Sequence, residues 1–68
     1  MISEEIHKLL EESDLSMSEI SRRSGLSRAT LYDVKKGKFR LKPESLERLL
    51  TVLGVSNEQI VWLIEETA

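Results

Sequence analysis

The sequence predicts an all-α fold, a compact set of five short helices, and three observations carry the prediction. Apolar residues recur at helical spacing, as Ile6, Leu9 and Leu10 do in i, i+3, i+4 order. Serines stand where helices should be capped, and glycines stand where they should stop. No strand signal competes, because two-residue alternation is absent and neither Asn-Gly nor Asp-Gly occurs.

Each helix has its own local reason. Ser3 ahead of the Ile6 stripe starts the first, expected over residues 3–13. Ser16 and Glu19 form a capping box, in which each side chain satisfies the other residue's orphan N–H, and Leu15 and Ile20 flank it as a hydrophobic staple. The second helix should therefore run over 17–24, with Gly25 supplying the left-handed residue that ends it. Ser27 caps the third, expected over 28–36, with Leu26 and Leu31 as its staple, Leu31 and Val34 as its inward edge and Gly37 as its stop. Pro43 suits the first position of a fourth helix over 43–53, whose stripe of Leu46, Leu49, Leu50 and Leu53 runs up to Gly54. Ser56 with Gln59, stapled by Val55 and Ile60, opens the fifth over 57–66.

Composition narrows the function classes. Sixty-eight residues, 40% hydrophobic and 32% charged, are expected to make one globular domain over 1–68. Cysteine is absent and His7 is the single histidine, so neither a disulfide, a metal site nor a cofactor is expected. No apolar run approaches the roughly 18 residues of a membrane span and no signal-peptide layout is present, which points to the cytoplasm. Enzyme activity is not expected either: there is no Gly-rich phosphate loop, and no carboxylate pair stands beside His7. A small helical domain also leaves little room for a closed small-molecule pocket.

Charge is the main functional clue. Residues 21–42 hold eight cations, Arg22, Arg23, Arg28, Lys35, Lys36, Lys38, Arg40 and Lys42, against the single acid Asp33. The flanking segments are acidic, and the whole chain has a net charge of −2. A cationic block confined to the middle of a small domain makes an oriented patch that can collect phosphates.

The block coincides with a motif. Residues 16–37 read S-M-S-E-I-S-R-R-S-G-L-S-R-A-T-L-Y-D-V-K-K-G. Two short capped helices meet through Gly25, Leu26 plugs the elbow, and Ile20, Leu31 and Val34 are spaced to meet in the core. A helix-turn-helix needs this arrangement: a tight turn, a buried hydrophobe just after it, and a second helix with a free outer face. From about Ile6 to Ile64 the chain resembles the Cro/lambda-repressor-type (XRE-like) helix-turn-helix family. The likeness rests on L-S-x-S-E-I at the second helix, G-L-S-R-A-T-L-Y-D-V at the third, the K-G-K turn, and a leucine-rich fourth helix ending L-G-V-S. It implies a five-helix lambda-repressor-like domain, and a phage or bacterial transcriptional regulator, a repressor, that binds double-stranded DNA as a homodimer.

Site residues follow from the helix geometry and the resemblance together. With Leu31 and Val34 facing inward, Arg28, Ala29, Tyr32 and Asp33 lie on the outer and N-terminal face of the third helix. The resemblance carries base-reading roles onto Arg28, Ala29 and Asp33. Arg28 suits guanine, Ala29 a thymine methyl, and Asp33 a cytosine amino group, or else Asp33 orients Arg28 or Lys36. Thr30 and Tyr32 add base or phosphate hydrogen bonds, while Ser27, Lys36, Lys38 and Arg40 suit phosphate contacts. Met17 stands where many relatives carry a Gln that anchors the second helix to the DNA backbone, and a thioether has no proton to donate. Lys35 replaces a Glu often found near the end of the third helix and adds a cation there. Phe39 and Leu41 should tuck against the fourth helix, His7 should be a solvated helix residue, and Trp62 either caps the core or joins Val61 and Ile64 in a dimer contact. A different class of reading also fits: a protein-binding inhibitor or adaptor on the same fold, such as an anti-CRISPR protein, an antitoxin or a polymerase modulator, docking a basic partner on its acidic helices.

Overall fold

Serine caps and glycine stops divide the chain much as the sequence predicts. The computed structural model describes residues 2–38 and 41–67, without the side chains of residues 2, 3, 66 and 67. Among the described residues there are five helices: α1 (Ile2–Glu12), α2 (Met17–Ser24), α3 (Arg28–Lys35), α4 (Pro43–Val52) and α5 (Asn57–Thr67). Most ends fall within a residue of expectation. Ser3 is the exception in kind, because α1 already begins at Ile2 and Ser3 lies within it. Glu4 and Glu5 occupy the first turn of α1, where carboxylates complement the positive end of the helix dipole.

The caps form, but only half of each expected capping box does. Ser16 is extended and its Oγ accepts the Glu19 N–H at 3.1 Å. Ser27 does the same for Thr30 at 3.1 Å, and Ser56 for Gln59 at 3.3 Å. The return bond from Glu19 is replaced, since its carboxylate turns along the helix to Arg22 and Arg23. A charged partner outcompetes a backbone amide for a carboxylate on an exposed turn. No return bond from Gln59 is present among the described residues.

Among the described residues ten apolar side chains from all five helices make the core: Ile6 and Leu10, Ile20, Leu31 and Val34, then Leu46, Leu49 and Leu50, and finally Ile60 and Leu63. Helix α4 packs on both α2 and α5, while α1 packs on α3 and α5 and α2 on α3. Each such side chain contributes about 1.5–3 kcal/mol through its burial. Leu15, Leu26, Leu41 and Val55 are partly buried against this core, as expected for Leu26 at the elbow; Leu41, expected against the fourth helix, packs on the core cluster. Phe39 lies outside the described residues. Among the described residues one polar residue is buried, Ser24 at 1% exposure, and its Oγ accepts the Leu26 N–H at 3.3 Å, so the turn is hydrogen-bonded from within. No helix among the described residues is long and apolar enough to cross a membrane.

Candidate nucleic-acid interface

The elbow between α2 and α3 sets the geometry of the site. Gly25 has φ 77°, a conformation that other residues adopt at a cost, and its N–H closes α2 on the Ser21 carbonyl at 3.0 Å. The Ser21 hydroxyl donates onward to the Leu26 carbonyl, tying the end of α2 to the turn. Leu31 and Val34 then anchor α3 in the core, at 0% and 2% exposure. Arg28, Ala29, Tyr32 and Asp33 are left exposed on the outer face, the four that helical spacing places there.

Polar contacts at the start of α3 are more specific than the sequence implies. Arg28 Nη1 donates to Ser18 Oγ at 3.3 Å, across the elbow and onto the first turn of α2. Ser27 accepts from the Thr30 N–H and donates its hydroxyl proton to Thr30 Oγ1 at 2.9 Å. The hydroxyl proton of Thr30, a partly buried residue, stays available to an outside acceptor, whereas Ser27 must give up a bond to offer its own. Asp33 makes no ion pair with Arg28 or Lys36 among the described residues. Met17 is partly buried against the core.

The described cations of residues 21–42 fall into two sets. Arg22 pairs closely with Glu19, whose carboxylate also meets Arg23 Nε at 3.5 Å. The Arg22 hydrogen bond, with the charges of Arg22 and Arg23, holds the Glu19 carboxyl below its ordinary value. Lys35 Nζ reaches Glu11 of α1 at 2.8 Å, and that hydrogen bond and charge hold the Glu11 carboxyl low in the same way. Lys35 is thus turned toward α1, away from the role of an unpaired cation at the end of α3. His7, expected to be merely solvated, directs Nδ1 to the Lys35 carbonyl at 3.1 Å, which requires the Nδ1–H form as donor. By contrast Lys36 and Lys38 are exposed with no carboxylate partner among the described residues. Gly37 between them, at φ 74°, lets the Lys38 N–H reach back to the Asp33 carbonyl at 2.8 Å and turn the chain off α3. Arg40, the remaining expected phosphate contact, lies outside the described residues.

A second exposed face lies on α5. Val61 and Trp62 are each 56% exposed, so Trp62 does not cap the core. Ile64 is partly buried and packs against the core. Among the described residues no group of three or more His, Asp or Glu side chains is placed to hold a metal ion. An open groove lies between α2 and α4, lined by Arg23, Glu44, Glu47, Arg48, Thr51 and Val52.

Sequence reasoning missed Ser18 and Ser24. Both sit near residues with obvious jobs, Ser16 as cap and Gly25 as stop; Ser24 finds its partner within the turn, at Leu26, and only the approach of α3 gives Ser18 its own.

Comparison with known proteins gives one result. A family model described as the Cro/C1-type HTH DNA-binding domain matches residues 5–66, nearly the whole chain. Neither a search of curated proteins nor a search of solved structures found a match.

Proposed function

The chain belongs to the Cro/C1-type helix-turn-helix DNA-binding family, and from that premise we propose that it is a transcriptional repressor acting as a homodimer, with residues 1–68 as one helix-turn-helix unit. Helix α3 enters the major groove. Arg28 pairs with guanine, Ala29 meets a thymine methyl, and Asp33 accepts from a cytosine amino group, each well-made contact being worth about 1–3 kcal/mol of discrimination. Tyr32 and Thr30 add base or phosphate hydrogen bonds. Lys36, Lys38 and Arg40 hold phosphates beyond the end of α3, and Ser27 serves at its start. Met17 contributes apolar contact at the backbone instead of a hydrogen bond. Two copies meet through Val61 and Trp62, with Ile64 behind them, and present their α3 helices to half-sites roughly 34 Å apart. Repression follows from occupying a promoter.

The observation that carries this reading is the outer face of α3: four exposed side chains of base-reading chemistry, followed at once by Lys36 and Lys38 with no carboxylate on them. Selection of bound sequences from random duplex DNA, with the size of the free protein measured alongside, tests it. A palindromic consensus and a dimer are expected. No enrichment, together with a salt-resistant complex with a basic protein, would transfer the reading to the inhibitor or adaptor class.

A further inference from the structure

We infer that Ser18 is a positioning residue for Arg28: from the first turn of α2 its hydroxyl sets the direction from which the guanidinium meets a base. The inference rests on the base-reading role proposed for Arg28. It starts from the hydrogen bond of Arg28 Nη1 to Ser18 Oγ, 3.3 Å long and spanning ten residues of sequence.

An exposed Arg has many rotamers, and few of them present its planar fork squarely to a base edge. Arg28 is the first residue of α3 and is exposed, with no carboxylate partner among the described residues. Ser18, in contrast, is a fixed point. It lies between Met17, which packs on the core, and Glu19, whose N–H is held by the Ser16 cap. Helices α2 and α3 are in turn fixed to one another through Ile20 and Leu31, both at 0% exposure, and through the Ser21 bond to the Leu26 carbonyl. The Ser18 backbone therefore holds a constant place relative to the start of α3, and a single torsion separates the few positions open to its Oγ.

The chemistry suits a support more than a competitor. Arg has no acceptor, so the Ser18 oxygen must accept, and its own proton stays free. One of the five guanidinium N–H groups is used, which leaves enough for two parallel bonds to guanine O6 and N7. Ser18 is neutral, so it leaves the positive charge of Arg28 undiminished. A carboxylate at the same point would hold the guanidinium back from DNA.

The test compares wild type, Ser18→Ala, Ser18→Thr, Arg28→Ala and the double variant Ser18→Ala/Arg28→Ala. Each is titrated with the duplex that wild type selects, the same duplex changed at the base pair where Arg28→Ala relaxes selection, and an unrelated duplex. Ser18 is exposed in a helix and Ala is a strong helix former, so the variant keeps its fold. Ser18→Ala should lose about two- to tenfold of discrimination at that one base pair, the size of a single hydrogen bond, with unrelated DNA bound as before. Ser18→Thr should retain the discrimination, and Ser18→Ala should add nothing once Arg28 is gone. Equal loss on all three duplexes, loss that persists without Arg28, or no loss at all would each overturn the positioning role. If wild type selects no sequence, the base-reading premise itself fails and the inference falls with it.

Discussion

The cations of residues 21–42 look alike in the sequence and differ in the fold. Arg22, Arg23 and Lys35 lie against Glu19 and Glu11, whereas Arg28, Lys36 and Lys38 project with at most a neutral hydroxyl for company. The first set is held by carboxylates, Arg22 and Arg23 within α2 and Lys35 on α1, and the second faces outward at the two ends of α3. Charge alone does not make a nucleic-acid contact; a cation already neutralised has less to offer a phosphate, because its pairing must be undone first. On the proposed reading the DNA-contacting surface is thus narrower than the charge count, and it is centred on α3.

Four experiments bear on that contrast. The largest effect abolishes it: Leu31→Ala removes a fully buried anchor of α3, should cost about 2–5 kcal/mol of stability, and is read by denaturant unfolding. Next, Arg28→Ala should lose about 1–3 kcal/mol of discrimination at one base pair, measured as the affinity ratio between the selected and the altered duplex. Lys38→Ala should weaken binding to every duplex alike and make the slope of log K against log salt shallower by about 0.9, the share of one phosphate. Glu19→Gln is the smallest and tests the paired set from the other side. It releases Arg22 and Arg23 and should tighten binding to unrelated DNA by at most about fivefold, the range of an exposed ion pair. If Glu19→Gln changed affinity more than Lys38→Ala, the division between the two sets would be wrong.

Acid should undo the paired set. The carboxyls of Glu11 and Glu19 lie below their ordinary value of 4.5 in the folded chain, so their stabilising contribution is complete above that value. It is lost as pH falls below 4.5 through the lowered folded values. The thermal midpoints of wild type and of Glu11→Gln should therefore converge as pH is lowered through that range.

Much of the fold was legible because its signals are local. Ser16, Ser27 and Ser56 cap the residue three ahead, and Gly25, Gly37 and Gly54 all adopt positive φ. The inward stripe of α4 came through as spacing alone, with Leu46, Leu49 and Leu50 buried. The outer face of α3 was legible for the same reason, once Leu31 and Val34 were turned inward. What the sequence hid were choices between rival local partners and contacts between elements. The Glu19 carboxylate had two plausible uses a few residues away, and spacing cannot rank a backbone amide against two guanidiniums. Lys35 met Glu11 and His7 from positions 24 and 28 residues distant, where no periodicity reaches.

By itself, then, the sequence determined the five helices, their caps and stops, the apolar stripes that join them and the helix-turn-helix that marks the family. These depend on hydrogen bonds and spacings within a few residues, which the chain carries wherever it goes. Only the tertiary structure decided which cations are spoken for, which serine stands beside Arg28, and that Trp62 faces outward while Ile64 turns to the core. The Lys35 pair follows from how α1 meets α3, the Ser18 contact from how α2 meets α3 across the elbow, and the facing of Trp62 and Ile64 from how α5 packs on α1 and α4. An ion pair or a hydrogen bond needs two groups within a few ångströms, and packing alone supplies that distance.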